Sequence, residues 1–189
     1  MIYDLPVSVE VGGVSYPIRS DFRAILDICI AMTDPELSDE DKALVALDVF
    51  YMDWNKIPME HLQEALEKCF DFINCGKQNG KRNAPKLVDW EQDYQYIVAP
   101  INRVVGREIR SIPYDRQTNE GGFHWWSFIS AYYEIGDCLF AQIVRIRDAQ
   151  ARGKKLDKSD QEWLRNNRHL VTMKTNYTEA EDEIMKLFT

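Results

Sequence analysis

The chain has 189 residues and a mass of 22.1 kDa, enough for one domain or two small ones and for a core that needs no disulfide or metal staple. Hydrophobic residues make up 45% and charged residues 29%, a balance that excludes intrinsic disorder. The net charge of −8 argues against general nucleic-acid binding, which rests on neutralising phosphates, and it is lopsided: residues 1–75 carry 15 acids and 5 bases, residues 76–189 carry 16 acids and 18 bases.

The opening "IYDLPVSVEVGG" has no basic n-region and no apolar run, so no secretory signal is expected. Residues 7–18, "VSVEVGGVSYPI", are predicted as a β-hairpin. Val7, Val9 and Val11 alternate with polar residues, Gly12-Gly13 can take the positive φ angles of a two-residue turn, and Val14, Tyr16 and Ile18 continue the second strand. Two strands alone are marginal, so the hairpin must pack on helices.

Three helices are expected next. Ser20 is the expected cap of the first, with Phe22, Ile25, Leu26 and Cys29 on one face and Asp34-Pro35 closing the region. Ser38 caps the second, whose first turn is acidic and whose apolar face is Ala43, Leu44, Leu47, Phe50 and Tyr51. Pro58 opens the third, lined by Met59, Leu62, Leu66, Cys69, Phe70 and Ile73 and ended by Gly76. These elements make an N-terminal module over 1–76. The stretch "GKQNGKRNAPK" (76–86) holds two glycines, a proline and four bases, and residues 77–88 are expected to be a linker.

A C-terminal helical module is expected over 89–189. Asp89 caps a helix with Trp90, Tyr94, Ile97, Ile101 and Val104 on one face, kinked near Tyr96 by Pro100 and ended by Gly106. Residues 107–122 read as a polar connection with no assigned element. The module is centred on a single helix over 123–150, in which Trp125, Ile129, Tyr132, Gly136, Leu139, Ile143 and Ile146 recur at 4-3-4-3-4-3 spacing. Gly136 inside that seam marks either a close approach of another helix or a weak point. Ser159 or Asp157 caps a later helix carrying Trp163 and Leu164. In the tail, Thr178 stands three residues before Glu181, a capping box, with Ile184, Leu187 and Phe188 as the apolar face.

The fold class expected is therefore mainly α: an N-terminal β-hairpin packed on helices, followed by a C-terminal helical bundle. The only long apolar run is 123–150, and Glu134 and Asp137 interrupt it, so no membrane span is expected and the protein reads as soluble and cytoplasmic.

Six aromatics fall between Phe123 and Tyr133. Trp and Tyr bury large areas while keeping a polar handle, so they serve cores and partner hot spots alike. Trp125, Trp126, Tyr132 and Tyr133 are the candidate residues, either core or partner-binding groove. No catalytic, cofactor or metal site is expected. His124 and Cys138 would lie about 21 Å apart on one helix, too far to share an ion. Glu134 and Asp137 can be neutralised by Arg103, Arg107 or Arg145, and no base, nucleophile and oxyanion donor converge. Cys29, Cys69, Cys75 and Cys138 form no CxxC pair and read as small core residues in a reducing compartment.

The segments "IRSDFRAIL" (18–26), "IPMEHLQEALEKCFDFINCG" (57–76), "DWEQDYQYIVAPINRVVGREIR" (89–110) and "HWWSFISAYYEIGDCLFAQIVRIRDAQARGKKLDKSDQEWLRNNR" (124–168) resemble, in that order, the bacteriophage gene-product-fifteen family. The most specific part is "HWW" followed by "EIGD", then "IR" and "GKKL", then a Trp in the last helix. The resemblance implies a phage or prophage tail protein similar to tail assembly chaperones, acting in the host bacterial cytoplasm. Its implied partner is the tape-measure protein, with self-association as a further option and no membrane or nucleic-acid role. A minor structural component of the tail is one alternative; a regulatory protein touching RNA through 77–86 is another. The family implies no catalytic residues.

Overall fold

The computed structural model describes residues 4–76 and 85–173. In chain order the elements are β1 (Ser8–Val11), β2 (Val14–Pro17), α1 (Phe22–Met32), α2 (Asp39–Phe50), α3 (Leu62–Ile73), α4 (Trp90–Val105), β3 (Tyr114–Asp115), β4 (Glu120–Gly121), α5 (Trp125–Tyr133), α6 (Leu139–Ala151) and α7 (Lys158–Val171). The fold is thus mainly helical, with an N-terminal hairpin leading into helices, as expected. The basic stretch 77–84 and the tail from 174 lie outside the described residues.

The described residues divide into two compact units: 4–76 with 108–130, and 85–107 with 131–173. Residues 108–130, assigned above to the C-terminal module, cluster with the first unit.

In the first unit, β1 and β2 pair antiparallel with Val9 opposite Tyr16 and Val11 opposite Val14. Gly12 and Gly13 turn the chain at φ of 56° and 77°, the region a tight hairpin turn demands. The hairpin packs through buried Val11 and Ile18, and the Gly12 N–H donates to a Glu64 carboxylate oxygen of α3 at 3.0 Å. Helix α1 buries Phe22, Ile25, Leu26 and Cys29, the face expected, together with Ala24, Ile28 and Met32. Its cap is Asp21, not Ser20: the Asp21 carboxylate accepts the Arg23 N–H, while the Ser20 carbonyl accepts the Trp125 N–H. Ser38 caps α2 in a capping box completed by Asp41. Leu47, Phe50 and the capping Tyr51 are buried as expected, but Lys42 and Ala46 take the inward positions expected of Ala43 and Leu44, which leaves Leu44 50% exposed. Helix α3 likewise turns Ala65, Cys69, Phe72 and Ile73 inward, and Met59 sits before it at 85% exposure. Arg19 closes the end of α2: one terminal guanidinium nitrogen donates to the carbonyls of Asp48, Val49 and Tyr51 at 2.7–3.1 Å, satisfying acceptors a helix C-terminus leaves open.

The second unit comprises α4, the end of α5, α6 and α7. Asp89 and Asp157 cap α4 and α7 through their carboxylates, and Gly106 ends α4 in the left-handed region. Helix α4 runs without interruption from Trp90 to Val105 through Pro100.

The single helix expected over 123–150 is instead two, α5 and α6, separated by 134–138. Gly136 adopts φ of 59°, and Cys138 is fully extended with its sulfur accepting the Ala141 N–H at 3.4 Å. A Cβ at Gly136 would meet nothing within 4 Å, so backbone conformation and not close packing calls for glycine here. Beyond the break the expected seam residues Ile143 and Ile146 are buried, but Leu139 is 46% exposed and its neighbour Phe140 is buried in its place.

Candidate functional site

Residues 123–125 tie the start of α5 to the start of α1: the Phe22 N–H donates to the Phe123 carbonyl and the Trp125 N–H to the Ser20 carbonyl. Asp21, itself buried, accepts the Phe123 N–H at 2.6 Å and the Arg23 Nε–H at 2.7 Å. The His124 Nδ1 accepts the Trp126 N–H at 3.0 Å, which assigns the ring proton to Nε2, 2.9 Å from the Pro6 carbonyl. Burial holds this imidazole below its ordinary range; the Pro6 carbonyl and the Asp21 carboxylate pull the other way.

From that start α5 sends two indoles to one target. The Trp125 Nε1–H donates to the Ile73 carbonyl at 2.8 Å and the Trp126 Nε1–H to the Phe72 carbonyl at 2.9 Å. Both acceptors lie in the last turn of α3, where carbonyls lack intrahelical donors. Trp125 is fully buried and stacks on Phe128, centroids 5.4 Å apart, and Phe128 stacks on Phe22 at 5.0 Å and 3°. Trp126 is half-buried against Phe72.

The two tyrosines belong to the second unit. Tyr132 packs between Trp90 and Phe140, at 5.5 and 6.0 Å, and burial pushes its hydroxyl well above the ordinary tyrosine range. Tyr133 is 61% exposed. The four candidates therefore do not form one cluster: a tryptophan pair serves one unit, and a half-buried and an exposed tyrosine serve the other.

The second unit also carries a groove of about 420 Å³ lined by Gln95, Tyr96, Ala99, Pro100, Arg103 and Leu139, among others. Pro100 has no N–H, so the Tyr96 carbonyl loses its usual helical donor. Arg103 donates to the Ile135 carbonyl, holding the 134–138 break, and does not serve as the expected partner of Glu134 or Asp137. Arg145, another expected partner of those acids, pairs with Asp160. That pairing, with help from Gln142, holds the Asp160 carboxyl below its ordinary range.

The most complete polar centre went unread in the sequence. Arg147 and Asp93 are buried together in the second unit. All five guanidinium N–H groups have acceptors: Asp93 Oδ2 and Oδ1 at 2.5 and 3.0 Å, and the carbonyls of Leu87, Leu170 and Val171 at 2.8–3.0 Å. The Asp89 N–H adds a bond to Asp93 at 2.9 Å. One arginine thereby joins the segment before α4, α4 itself, α6 and the end of α7.

Among the described residues no group of three or more His, Cys, Asp or Glu side chains could hold a metal ion, and no helix is long and apolar enough to cross a membrane. Cys29 and Cys69 are buried, and burial pushes both thiols up, away from reactive thiolate chemistry at neutral pH. What the surface of the second unit offers is apolar contact: the groove, Tyr133, Leu139 and Val104.

No curated protein and no solved structure matches the chain. A family model described as "Bacteriophage Gp15 protein" matches residues 1–173, a span that takes in every helix and strand described above; the chain belongs to that bacteriophage family.

Proposed function

We propose that this phage protein is a non-catalytic tail assembly chaperone that binds the tape-measure protein in the cytoplasm of the bacterial host. The observation that carries the reading is an apolar groove on a small helical unit of a phage-family protein. Tyr96, Ala99, Pro100 and Leu139 line it, and the unit also exposes 61% of Tyr133 and 41% of Val104. Amphipathic helices bind by laying their apolar face into such grooves, and a long helical client would otherwise aggregate through that same face. Acidic excess in the first unit favours solubility of the complex.

Co-expression with the tape-measure protein from the same phage tests this. The client should become more soluble and co-purify. Mass spectrometry of finished particles should find the protein absent or sparse. A client whose solubility is unchanged would remove the chaperone reading, and stoichiometric presence in particles would favour a structural tail component.

A further inference from the structure

The start of α5 is held by a titratable cap. The His124 carbonyl accepts the Phe128 N–H at 3.0 Å, the first bond of the helix, and the His124 Nδ1 accepts the Trp126 N–H at 3.0 Å. Most helices are capped by a side-chain oxygen of Ser, Thr, Asp or Asn, which accepts at neutral pH and in mild acid alike. An imidazole nitrogen accepts only while it carries no proton. The opposite ring nitrogen, Nε2, lies 2.9 Å from the Pro6 carbonyl, 118 residues earlier in the chain. One ring therefore joins the start of α5 to the segment that leads into β1.

A second proton sets these bonds against each other. Nε2 already donates to Pro6, so the proton goes to Nδ1. There it faces the Trp126 N–H, donor against donor, and that N–H loses its acceptor. The ring must turn to relieve the clash, and turning takes Nε2 off the Pro6 carbonyl. Little around the ring holds the cation in place. Helix α3 presents the neutral Phe72 ring at 5.6 Å, and α5 presents the Trp126 indole at 6.2 Å. Asp21, the cap of α1, is the ionised group that acts on the ring, and its carboxylate is already engaged by Arg23 and by the Phe123 N–H. Burial outweighs it and holds the imidazole below its ordinary value of 6.5, so the cap is complete at neutral pH.

We infer that His124 is an acid-sensitive latch: a proton on Nδ1 uncaps α5 and frees the segment around Pro6 in one event, before the core of the first unit opens. The core has its own fastenings, the Phe22–Phe128–Trp125 stack and the Trp125 bond to the Ile73 carbonyl, none of which passes through the imidazole.

An acid titration of the full-length protein, followed by nitrogen NMR of the imidazole and by amide hydrogen exchange, tests the inference. At neutral pH the ring should carry its proton on Nε2 and none on Nδ1. As His124 takes up its second proton, the Trp126 amide should lose protection at least tenfold beyond the intrinsic change in exchange rate, and Ile25 and Leu26 in the core of α1 should lose clearly less. His124→Asn supplies a capping oxygen that does not titrate. It should keep the neutral-pH protection of Trp126 and abolish the acid response. If that variant does not fold, the wild-type titration decides alone. A proton on Nδ1 at neutral pH overturns the inference, and so does Trp126 protection that ignores the charging of His124. Loss at Ile25 and Leu26 in step with Trp126 overturns it as well, because the unit would then be opening as a whole.

Discussion

The two units are held together by different physics. The described residues of the first carry 18 acids and seven bases, and those of the second nine acids and 11 bases. The acidic unit is built on aromatic stacking, through Phe22, Phe128 and Trp125, with its buried Asp21 satisfied by neighbouring donors. The balanced unit closes on an ion pair, Asp93 with Arg147, whose bonds reach four chain segments. The first unit also pairs its buried Asp21 with a cation, but that Arg23 side chain stays 31% exposed, whereas in the second unit both Asp93 and Arg147 are buried. The cost of that choice is fragility: a buried pair adds little net stability over apolar packing, but losing one partner leaves a charge stranded.

The largest expected effect follows from that fragility. Arg147→Met should destabilise the second unit by about 3–5 kcal/mol, read by denaturant titration and by loss of amide protection at Leu170 and Val171. Adding Asp93→Leu should recover much of the loss, because the stranded carboxylate is gone. Failure of the double variant to recover would mean that the carbonyl bonds of Arg147, and not the charge pairing, hold the unit. In the first unit Trp125→Ala should cost about 3–5 kcal/mol through the cavity it leaves, whereas Trp125→Phe should cost about 1–2 kcal/mol, the loss of one buried donor to Ile73.

Acid should separate the units more gently. His124 is held neutral in the folded first unit, so the unfolded chain takes up the proton more readily. Stability from this group is complete above the ordinary imidazole value of 6.5 and falls as pH drops below it, towards the lower folded value. Asp160 in the second unit is depressed from 3.8, so its contribution persists until pH falls below that value. Exchange protection in the first unit should therefore weaken as pH falls below 6.5, while Asp160 contributes unchanged until pH falls below 3.8, and His124→Gln should flatten the response.

Much of the fold was legible because its signals are local. Ser38, Asp89, Asp157 and Gly106 act as caps in the way their types and positions predict, and Gly12-Gly13 makes the turn between alternating valines. Helix faces were less legible: in α2 tertiary packing chose Lys42 and Ala46 over Leu44, and in α3 Ala65 and Phe72 join the expected Cys69 and Ile73 inside. The break between α5 and α6 was hidden because a seven-residue spacing carries its phase across a short interruption. Only Gly136 hinted at it. The β3–β4 hairpin has strands of two residues, too short for any alternation to register. As for the site, composition found the aromatic cluster but not its division, since Trp126 and Tyr133 look alike without partners. The Arg147–Asp93 pair spans 54 residues of sequence, and no local pattern distinguishes Arg147 from Arg145 two positions earlier.

The central claim is that the tryptophans serve the fold and that the apolar surface of the second unit serves the client. Tyr133→Ser with Leu139→Ser changes exposed side chains and should shift stability by no more than about 0.5 kcal/mol. Binding of that variant to a soluble tape-measure fragment, measured by titration calorimetry beside the wild type, is the most direct test. The account predicts an unchanged melting temperature with affinity lowered at least tenfold; unchanged affinity in a folded variant would contradict it.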